Sequence, residues 1–522
     1  MPHMQNLGAG DDRRVAIIGA GPAGLVAARW LKQAGFTPVI FEAAAALGGQ
    51  WNTDATGSGT WTGMRTNTSR IMTAFSDLDH LPEVASYARQ DQMQAYLVRY
   101  ADHHGLLAHL RLNHPVQRLE RCSAGGWTIV TAAPDPQEYG FTRVIIATGR
   151  HRAPMLPDLP GLERFSGRFG AQHAASYTGS AAFRDARVLV AGCSISALEI
   201  AADLATGGAA SVIASYRRQR YILPKLVAGV PTDHVMFNRA AALASEALPF
   251  PAMMEGLKAK VLGIAGNPAQ FGARHPDPDI AVAGIAQSQG FLPAVAEGRI
   301  AVRPWIDHIE DQKVIFTDGT EAEVDAILLG TGYRIALPFC APAIADALGL
   351  AADGHGTALR LAAQTFHPDL EGLAFLGLYD LVGPYFPVLE LQARWIAQCF
   401  ATSGQHPSRV ELAEALSGWT PEAAGMAQPM HIAAIDFARR LQAEPDLAAF
   451  PALKRALVFG PLSPASFRLC GPAALPDAPA RILAAAASFG AMPDQNCTAE
   501  EAAFLNMILG AQDGPDLKIV NG

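Results

Sequence analysis

Residues 13–42 constrain the fold of this chain more than any other segment. The sequence RRVAIIGAGPAGLVAARWLKQAGFTPVIFE reads as a short buried strand, a glycine-rich turn, a helix and a second strand. Gly19, Gly21 and Gly24 occupy the three glycine positions of GxGxxG. They permit a tight turn, close approach of the backbone to a pyrophosphate, and close helix–strand packing, respectively. The segment therefore predicts a Rossmann-like βαβ unit that binds a dinucleotide at its helix N-terminus.

Glu42 follows the second strand of this unit. A carboxylate at that position can accept hydrogen bonds from the ribose hydroxyls of a dinucleotide. The first predicted binding site therefore combines Glu42 with the whole glycine turn, which consists of Gly19, Ala20, Gly21, Pro22, Ala23 and Gly24.

Residues 186–218, ARVLVAGCSISALEIAADLATGGAASVIASYRR, predict a second unit of the same kind. Gly192 keeps the first glycine position, whereas Ser194 and Ala197 replace the second and third. Both replacements are small, so the backbone can still approach a phosphate there. Ser196 lies in the same turn and is included in the predicted site.

The second unit ends in Arg217 and Arg218, where the first unit ends in Glu42. A carboxylate repels a 2′-phosphate, whereas guanidinium groups can bind one in bidentate fashion. This asymmetry predicts FAD in the first unit and NADPH in the second. The alternative for the arginines is a solvated basic loop.

Two similar segments, RVIIATG (143–149) and AILLGTG (326–332), predict strands that end beside the two cofactors. The predicted fold is α/β, with two interleaved Rossmann-like dinucleotide-binding domains and a mostly helical C-terminal extension. The predicted boundaries are an FAD-binding domain at 1–180 and 335–405, an NADP-binding domain at 181–334 with an irregular insertion at about 220–290, and an extension at 406–522.

Composition excludes several other classes of protein. The net charge of −8 and the pI near 6.0 give no general attraction to nucleic acid or anionic lipid. The six cysteines form no CxxC pair and have no histidine at metal-binding spacing, so we expect neither structural disulfides nor a metal site. No secretory signal and no apolar run of membrane-spanning length is visible, which predicts a soluble, cytoplasmic protein.

Several further segments together resemble the flavin-containing monooxygenase family over nearly the whole chain. LGGQW (47–51) is similar to the family's GGxW element, and TNTSRIMTAFSD (66–77) to its TNxSK…FSD segment, with Arg70 in place of the usual Lys. GTGYR (330–334) resembles the family's ATGY element, and PYFPVLELQARW (384–395) its FPxxExQARW stretch. The tail FGPLSPASFRLCGP (459–472) resembles the family's C-terminal segment.

The family signature FxGxxxHxxx(Y/F) is present in altered form. FSGRFGAQHAASY contains Phe165, Gly167, His173 and Tyr177, but two extra residues separate the glycine from the histidine. Baeyer–Villiger enzymes of the sister group typically carry Trp at the position of Tyr177, so the tyrosine favours oxidation of a heteroatom.

The resemblance implies an NADPH- and FAD-dependent monooxygenase that oxygenates a soft nucleophilic nitrogen or sulfur atom of a small molecule with O₂ through a C4a-hydroperoxyflavin. It implies a catalytic role for Asn67, facing both flavin and nicotinamide; without the resemblance, Asn67 is an ordinary turn residue. Glu390 and Arg394 are spaced i,i+4 on a helix, so a surface ion pair explains them at least as well as a role in binding the cofactor. Further cofactor-binding residues implied by the resemblance are Gln50, Trp51, Thr66, Thr68, Val116, Thr148, Gly149 and Gln392.

Three alternatives stay open at this point: Baeyer–Villiger oxidation of a ketone, an NAD(P)H oxidase, and a non-catalytic binding protein. A disulfide reductase would need a redox-active cysteine pair, which the sequence lacks. No segment identifies the substrate. The oligomeric state is also open, and a homodimer is one arrangement.

Overall fold

The computed structural model describes residues 12–55, 57–123, 125–132, 136–402, 404–492 and 496–512. Its strands, in chain order, are β1 (Arg14–Ile18), β2 (Thr37–Phe41), β3 (Leu110–Arg111), β4 (Val116–Arg121), β5 (Trp127–Thr131), β6 (Glu138–Phe141), β7 (Arg143–Ile146), β8 (Ala153–Pro154), β9 (Gly170–His173), β10 (Arg187–Ala191), β11 (Ser211–Ser215), β12 (Tyr221–Leu223), β13 (Leu226–Val227), β14 (Val230–Pro231), β15 (Ile285–Gln287), β16 (Ile300–Arg303), β17 (Ile306–Glu310), β18 (Lys313–Phe316), β19 (Glu321–Glu323), β20 (Ala326–Leu329), β21 (Tyr333–Ala336), β22 (His355–Gly356), β23 (Leu373–Phe375), β24 (Leu381–Val382) and β25 (Gln428–Pro429).

The α-helices, in chain order, are α1 (Pro22–Gln33), α2 (Gln90–His103), α3 (Ile195–Thr206), α4 (Thr232–Met236), α5 (Arg239–Ala247), α6 (Phe250–Ala265), α7 (Ile280–Ala283), α8 (Phe291–Ala296), α9 (Pro342–Leu348), α10 (Phe386–Ala401), α11 (Arg409–Ala415), α12 (Pro421–Ala424), α13 (Met430–Arg440), α14 (Lys454–Phe459), α15 (Ala478–Ala487) and α16 (Ala499–Gln512).

The first dinucleotide unit lies in a parallel sheet with the strand order β23–β7–β1–β2–β3. Its central strand β1 is almost entirely apolar and buried, as expected for a strand covered on both faces. Helix α1 begins with Pro22, whose fixed φ suits the first turn of a helix. On its buried face α1 packs against α10, so a distant part of the chain completes this unit.

The second unit lies in another parallel sheet with the order β16–β11–β10–β20–β9. The chain leaves the first sheet after β7, builds the second sheet, and returns to the first at β23. The prediction of two interleaved Rossmann-like folds is therefore confirmed. The domain boundaries themselves stay predictions; β9, which precedes residue 180, pairs with β20 of the second sheet.

The region 220–290 is more helical than the sequence suggests. It contains α4, α5, α6 and α7 together with the short strands β12 to β15. Helix α6 is irregularly packed, since Val261 is its one fully buried residue. These helices lie outside both parallel sheets and so are free to form the wall of a site.

The C-terminal extension is mostly helical, as predicted, and its described residues include α11 to α16. Helix α13 packs against α10, and α14 and α16 pack against α5, so the extension contacts both the first unit and the 220–290 region. Within the described ranges, no helix combines the length and the apolar character needed to cross a lipid bilayer.

Candidate active site

One cavity of 1790 Å³ adjoins the carboxyl ends of strands from both parallel sheets. This is where open α/β sheets bind their ligands. The cavity contains most of the residues predicted from the sequence, namely Gly19, Gly21, Pro22, Ala23, Glu42, Gln50, Trp51, Thr66, Asn67, Thr68, Val116, Thr148, Gly149, Gly192, Ser194, Ser196, Arg217 and Arg218. Segments separated by up to about two hundred positions in the sequence thus meet around one space.

Four predicted residues do not line the cavity. Ala20 and Gly24 support the first turn from behind, and Ala197 supports the second. Gln392 is fully buried, and its amide donates to the hydroxyl of Thr365 and the carbonyl of Phe375 while accepting from the Gly377 N–H. Its side chain connects α10 to the edge of the first sheet, and its predicted role in binding a cofactor stays a prediction.

The first glycine turn is shaped by close backbone approaches. Gly19 has a φ of +109°, and a Cβ there would lie 2.6 Å from the carbonyl oxygen of Ala147. A Cβ on Gly24 would lie 1.9 Å from the carbonyl oxygen of Gly19. A Cβ on Gly21 would have the Gly49 Cα as its nearest neighbour, at 3.4 Å. Packing within the protein therefore does not require a glycine here, whereas a ligand in the cavity would.

Glu42 holds the same turn. Its Oε2 accepts a 2.7 Å hydrogen bond from the Ala20 N–H, and its Oε1 accepts one of 3.0 Å from the Ala44 N–H. A carboxylate has about four acceptor sites, so capacity for ribose hydroxyls remains. Turn, carboxylate and cavity fit the pyrophosphate and ribose of FAD.

The second turn shows why alanine is tolerated at its third glycine position. Gly192 has a φ of +127°, and a Cβ there would lie 2.4 Å from the Gly330 carbonyl oxygen. A Cβ on Gly330 would come within 2.7 Å of the Ala197 Cβ. The glycine that allows close packing of helix and sheet here is therefore Gly330, which follows the facing strand β20, and not the third residue of the turn.

The two arginines after β11 have different surroundings. The Arg217 guanidinium lies 4.7 Å from the ring centroid of Trp305, which fixes it at the cavity wall. Arg218 also lines the cavity but donates to the Val282 carbonyl at 3.0 Å. Arg274, which the sequence did not single out, donates to the Tyr216 carbonyl at 2.8 Å and secures the strand end. Arg217 therefore has the freer guanidinium for a 2′-phosphate.

Asn67 lies in a loop with a fixed conformation. The Thr66 hydroxyl donates to the Thr68 carbonyl at 2.8 Å, and the hydroxyls of Thr68 and Thr73 are 2.7 Å apart. The carbonyl oxygen of the Asn67 side chain is buried without a hydrogen-bond partner, and so is the hydroxyl of Thr148. Because unsatisfied buried polar atoms are costly, these two atoms mark where a polar ligand fits the cavity.

Asp233 and His234 of α4 form a buried pair that contacts this loop. The sequence did not predict this pair. The Ser69 N–H donates to Asp233 Oδ2 at 2.5 Å, and the Ser69 hydroxyl lies 3.2 Å from His234 Nε2. Burial raises the pKa of Asp233 to about 6 and lowers the pKa of His234 to about 4. Helix α4 of the 220–290 region is thus connected directly to the loop that bears Asn67.

Three of the recognised motifs meet in one buried cluster behind the site. Glu390 Oε2 accepts from the Ser76 N–H at 2.7 Å, and its Oε1 accepts from the Ser76 hydroxyl. Arg468 of the tail donates to the Ser76 hydroxyl and lies 3.4 Å from Glu390. Arg394 instead donates to the Phe467 carbonyl. The expected surface ion pair between Glu390 and Arg394 is therefore wrong, because both side chains are buried and have other partners.

The altered signature motif accommodates its two extra residues in a turn. The Gly170 N–H donates to the Gly167 carbonyl at 2.8 Å, and β9 then runs to His173. The His173 Nδ1 accepts from the Ala175 N–H at 3.1 Å, so its Nε2 carries the proton and donates to the Gly332 carbonyl at 3.0 Å. The Tyr177 hydroxyl donates to Asp203 at 2.5 Å.

The cavity extends well beyond the two glycine turns, into a part that we call the distal compartment. It is walled by the 220–290 region and the C-terminal extension, whose lining residues are Ala240, Ala241, Ala244, Ser245, Leu248, Ala252, Met253, Met254, Gly256, Leu257, Lys260, Ala427, Pro429, His431, Ile432, Phe459 and Phe504. This wall is largely apolar, which suits an organic substrate. No sequence motif predicts the distal compartment.

Comparison with known proteins identifies similar sequences. The model of a family described as flavin-binding monooxygenase-like matches residues 12–498. The chain is 27% identical to dimethylaniline monooxygenase [N-oxide-forming] 2 of Oryctolagus cuniculus, over 88% of this chain and 89% of that protein. It is also 27% identical to flavin-containing monooxygenase 1 of Homo sapiens, over 88% and 90% of the two chains.

Solved structures show the same fold. An S-allyl-L-cysteine S-oxygenase from Allium sativum matches with a TM-score of 0.59 and 23% identity, over 81% of this chain and 86% of that one. A cyclohexanone monooxygenase matches with a TM-score of 0.62 and 18% identity, over 84% and 98% of the two chains.

Proposed function

We propose, from the premise that this chain belongs to the flavin-binding monooxygenase-like family, that it oxygenates a soft nitrogen or sulfur atom of a small organic molecule. Members of the family use FAD and NADPH, and the chain is accordingly an FAD-dependent monooxygenase. The finer proposal is supported by the curated relatives, one of which is named for forming N-oxides. The Tyr177 position of the signature motif favours the same chemistry.

One observation carries the proposal: the unpartnered carbonyl oxygen of Asn67 lies in the cavity that both glycine turns share. An amide can accept a hydrogen bond with this oxygen and donate with its nitrogen. At the meeting point of the two nucleotide sites, such a group can hold polar atoms of both cofactors in one arrangement.

FAD, when bound, supplies the redox chemistry, accepting a hydride from NADPH and activating O₂. The balance is substrate, O₂, NADPH and a proton to oxygenated substrate, water and NADP⁺. The residues of this chain supply position and shielding. Glu42 and the first turn orient the nucleotide, Arg217 selects the phosphorylated cofactor, and Asn67 holds polar atoms at the reacting centre.

Oxygenation at nitrogen or sulfur needs no protein group to protonate the substrate, because the heteroatom itself is the nucleophile. The buried pair beside Asn67 is consistent with this, since Asp233 Oδ2 accepts from the Ser69 N–H. The pair therefore positions the loop, and the apolar wall excludes water from it.

The test is product analysis with purified protein, NADPH, O₂, and three substrates: a tertiary amine, a thioether and a ketone. We expect N-oxide or sulfoxide in near-stoichiometric ratio to the NADPH consumed. Ester formation from the ketone with no oxygenated amine or thioether would establish Baeyer–Villiger chemistry instead. Consumption of NADPH with only H₂O₂ formed would identify an oxidase.

A further inference from the structure

The lining of the distal compartment includes one lysine, Lys260. It lines the compartment on α6 with an accessible side chain. Its ammonium group donates to the Val235 carbonyl at 2.7 Å, which uses one of its three N–H groups. The surrounding protein lowers the pKa of the Lys260 amino group by desolvation, and no carboxylate among the described residues offsets this.

A second polar group lies beside it. His431, at the start of α13, also lines the compartment, and its Nδ1 is buried without a hydrogen-bond partner. Burial and then the charge of Lys260 lower the pKa of His431 to about 4, so the imidazole is neutral. Lys260 contacts Val235, and His431 lies 6.2 Å from the Phe237 ring, so both flank the end of α4.

The wall around these groups is largely apolar. The carboxylate of the 220–290 region that lines the same cavity, Asp233, accepts from the Ser69 N–H, whereas Lys260 donates to the Val235 carbonyl. A cation in an apolar wall costs free energy unless an anion or hydrogen-bond acceptors compensate it. One lysine with one neutral imidazole matches a singly charged acceptor, whereas a phosphate dianion would leave a net negative charge among apolar side chains.

We infer that Lys260, assisted by His431, binds the carboxylate of the substrate, so that the enzyme acts on carboxylate-bearing thioethers or amines. The inference rests on the proposed function and specifies its substrate class. Helix α4 connects the two ends of such a substrate's site, since Asp233 bonds the loop of Asn67 and Val235 bonds Lys260. The carboxylate lies in the distal compartment, and the heteroatom points towards Asn67.

The test compares two methyl thioethers of equal chain length, one ending in a carboxylate and the other in the neutral amide. With the FAD-loaded wild type and NADPH, we expect the KM of the carboxylate to be lower by about ten-fold or more, as for a charge-assisted hydrogen bond. Lys260→Met should remove this preference by raising the KM of the carboxylate to about that of the amide.

Lys258→Met is the matched control, because Lys258 lies on the same helix but does not line the cavity. It should keep the wild-type preference. An unchanged preference in folded, flavin-loaded Lys260→Met would overturn the inference, and so would a wild type that does not distinguish the two thioethers.

Calorimetry separates failure of the inference from failure of the proposed function. Hexanoate and hexanamide are titrated into the FAD-loaded protein with NADP⁺ present, where no turnover takes place. Hexanoate binding that is lost in Lys260→Met and kept in Lys258→Met supports the anion site, even if neither thioether is oxygenated and the proposed function fails. Equal binding of hexanoate to wild type and Lys260→Met overturns the anion site, whatever the activity.

Discussion

At the scale of single residues, Asn67 is the side chain with the most specific expected role. Asn67→Leu removes the amide but keeps a similar volume, and the FAD-binding turn lies elsewhere, so flavin content should be unchanged. Loss of a hydrogen bond to a strongly polar group, worth about 1.5–3 kcal/mol, should lower the oxygenated product formed per NADPH about ten-fold or more. H₂O₂ should rise by the matching amount.

The measurement is parallel quantification of NADPH, sulfoxide and H₂O₂ in wild type and variant. Wild-type coupling in Asn67→Leu would make Asn67 a turn residue only, and the role implied by the family resemblance would then be wrong at this position.

Arg217 should determine the preference for NADPH over NADH, because its guanidinium is fixed on Trp305 at the cavity wall. Arg217→Ala should reduce the preference in kcat/KM by ten- to a hundred-fold, as expected for a charge-assisted hydrogen bond of about 1.5–3 kcal/mol. Arg218→Ala is the control, since Arg218 bonds the Val282 carbonyl, and its effect should be smaller. A larger loss in Arg218→Ala would reverse the assignment of the two arginines.

At the scale of elements, the cluster of Ser76, Glu390 and Arg468 joins the 66–77 segment, α10 and the C-terminal tail. Arg468→Leu should lower the free energy of unfolding by about 3–5 kcal/mol, because it leaves the buried Glu390 carboxylate without its cation. Denaturant unfolding of the FAD-loaded protein measures this. Arg409→Leu, which breaks an exposed pair with Asp369, should cost at most about 1 kcal/mol; an equal loss in both variants would contradict the buried role of Arg468.

Asp233, which connects α4 to the Asn67 loop, should give the stability a pH dependence. Its pKa is raised by burial to about 6 in the folded protein from its ordinary value of 3.8. The folded state therefore binds the proton more tightly than the unfolded state does. The resulting stabilisation of the folded protein is present below pH 4 and is lost as pH rises through 6. A shift of about two units corresponds to roughly 3 kcal/mol.

Asp233→Asn should accordingly gain stability relative to wild type as pH is raised from 4 to 7, as measured by urea unfolding at several pH values. A constant difference between the two proteins across this range would show that the Asp233 pKa is not raised.

The sequence predicts an element well when the residues that determine the element lie close together along the chain. The glycine turns and their strands could be predicted, because φ preferences, apolar runs and the turn all lie within about thirty residues. The partners of Glu390 could not, since Ser76 is 314 positions away along the chain and nothing in i,i+4 spacing shows that a helix face is buried.

The distal compartment is the clearest case of a site that the sequence does not reveal. Its wall comes from α5, α6, α13, α14 and α16, whose apolar residues read as ordinary helix faces. Lys260 was not singled out, because a lysine on a helix is usually solvated. Only the packing of the 220–290 region against the C-terminal extension gives that lysine an apolar surrounding.

At the scale of the whole molecule, the cavity exists only when both interleaved units are folded. The first unit is closed by β23 and α10, which follow the entire second unit in the chain. A cofactor that binds this cavity and not the unfolded chain must therefore stabilise the molecule as a whole. At a free FAD concentration about a thousand times the Kd, this linkage amounts to about 4 kcal/mol.

Gly21→Val provides the test of that linkage and of the FAD site together. The nearest protein atom to a Cβ at Gly21 lies 3.4 Å away, so the fold leaves room for a Cβ there, and the side chain projects where the pyrophosphate is expected. The variant should be purified colourless, with a melting temperature equal to that of flavin-stripped wild type and unaffected by added FAD, whereas stripped wild type should recover several degrees. Gly24→Ala is the contrast, because its Cβ would lie 1.9 Å from the Gly19 carbonyl oxygen and should destabilise the protein with or without FAD. If Gly21→Val keeps its yellow colour and its response to FAD, the pyrophosphate does not lie at this turn, and the assignment of FAD to the first unit is wrong.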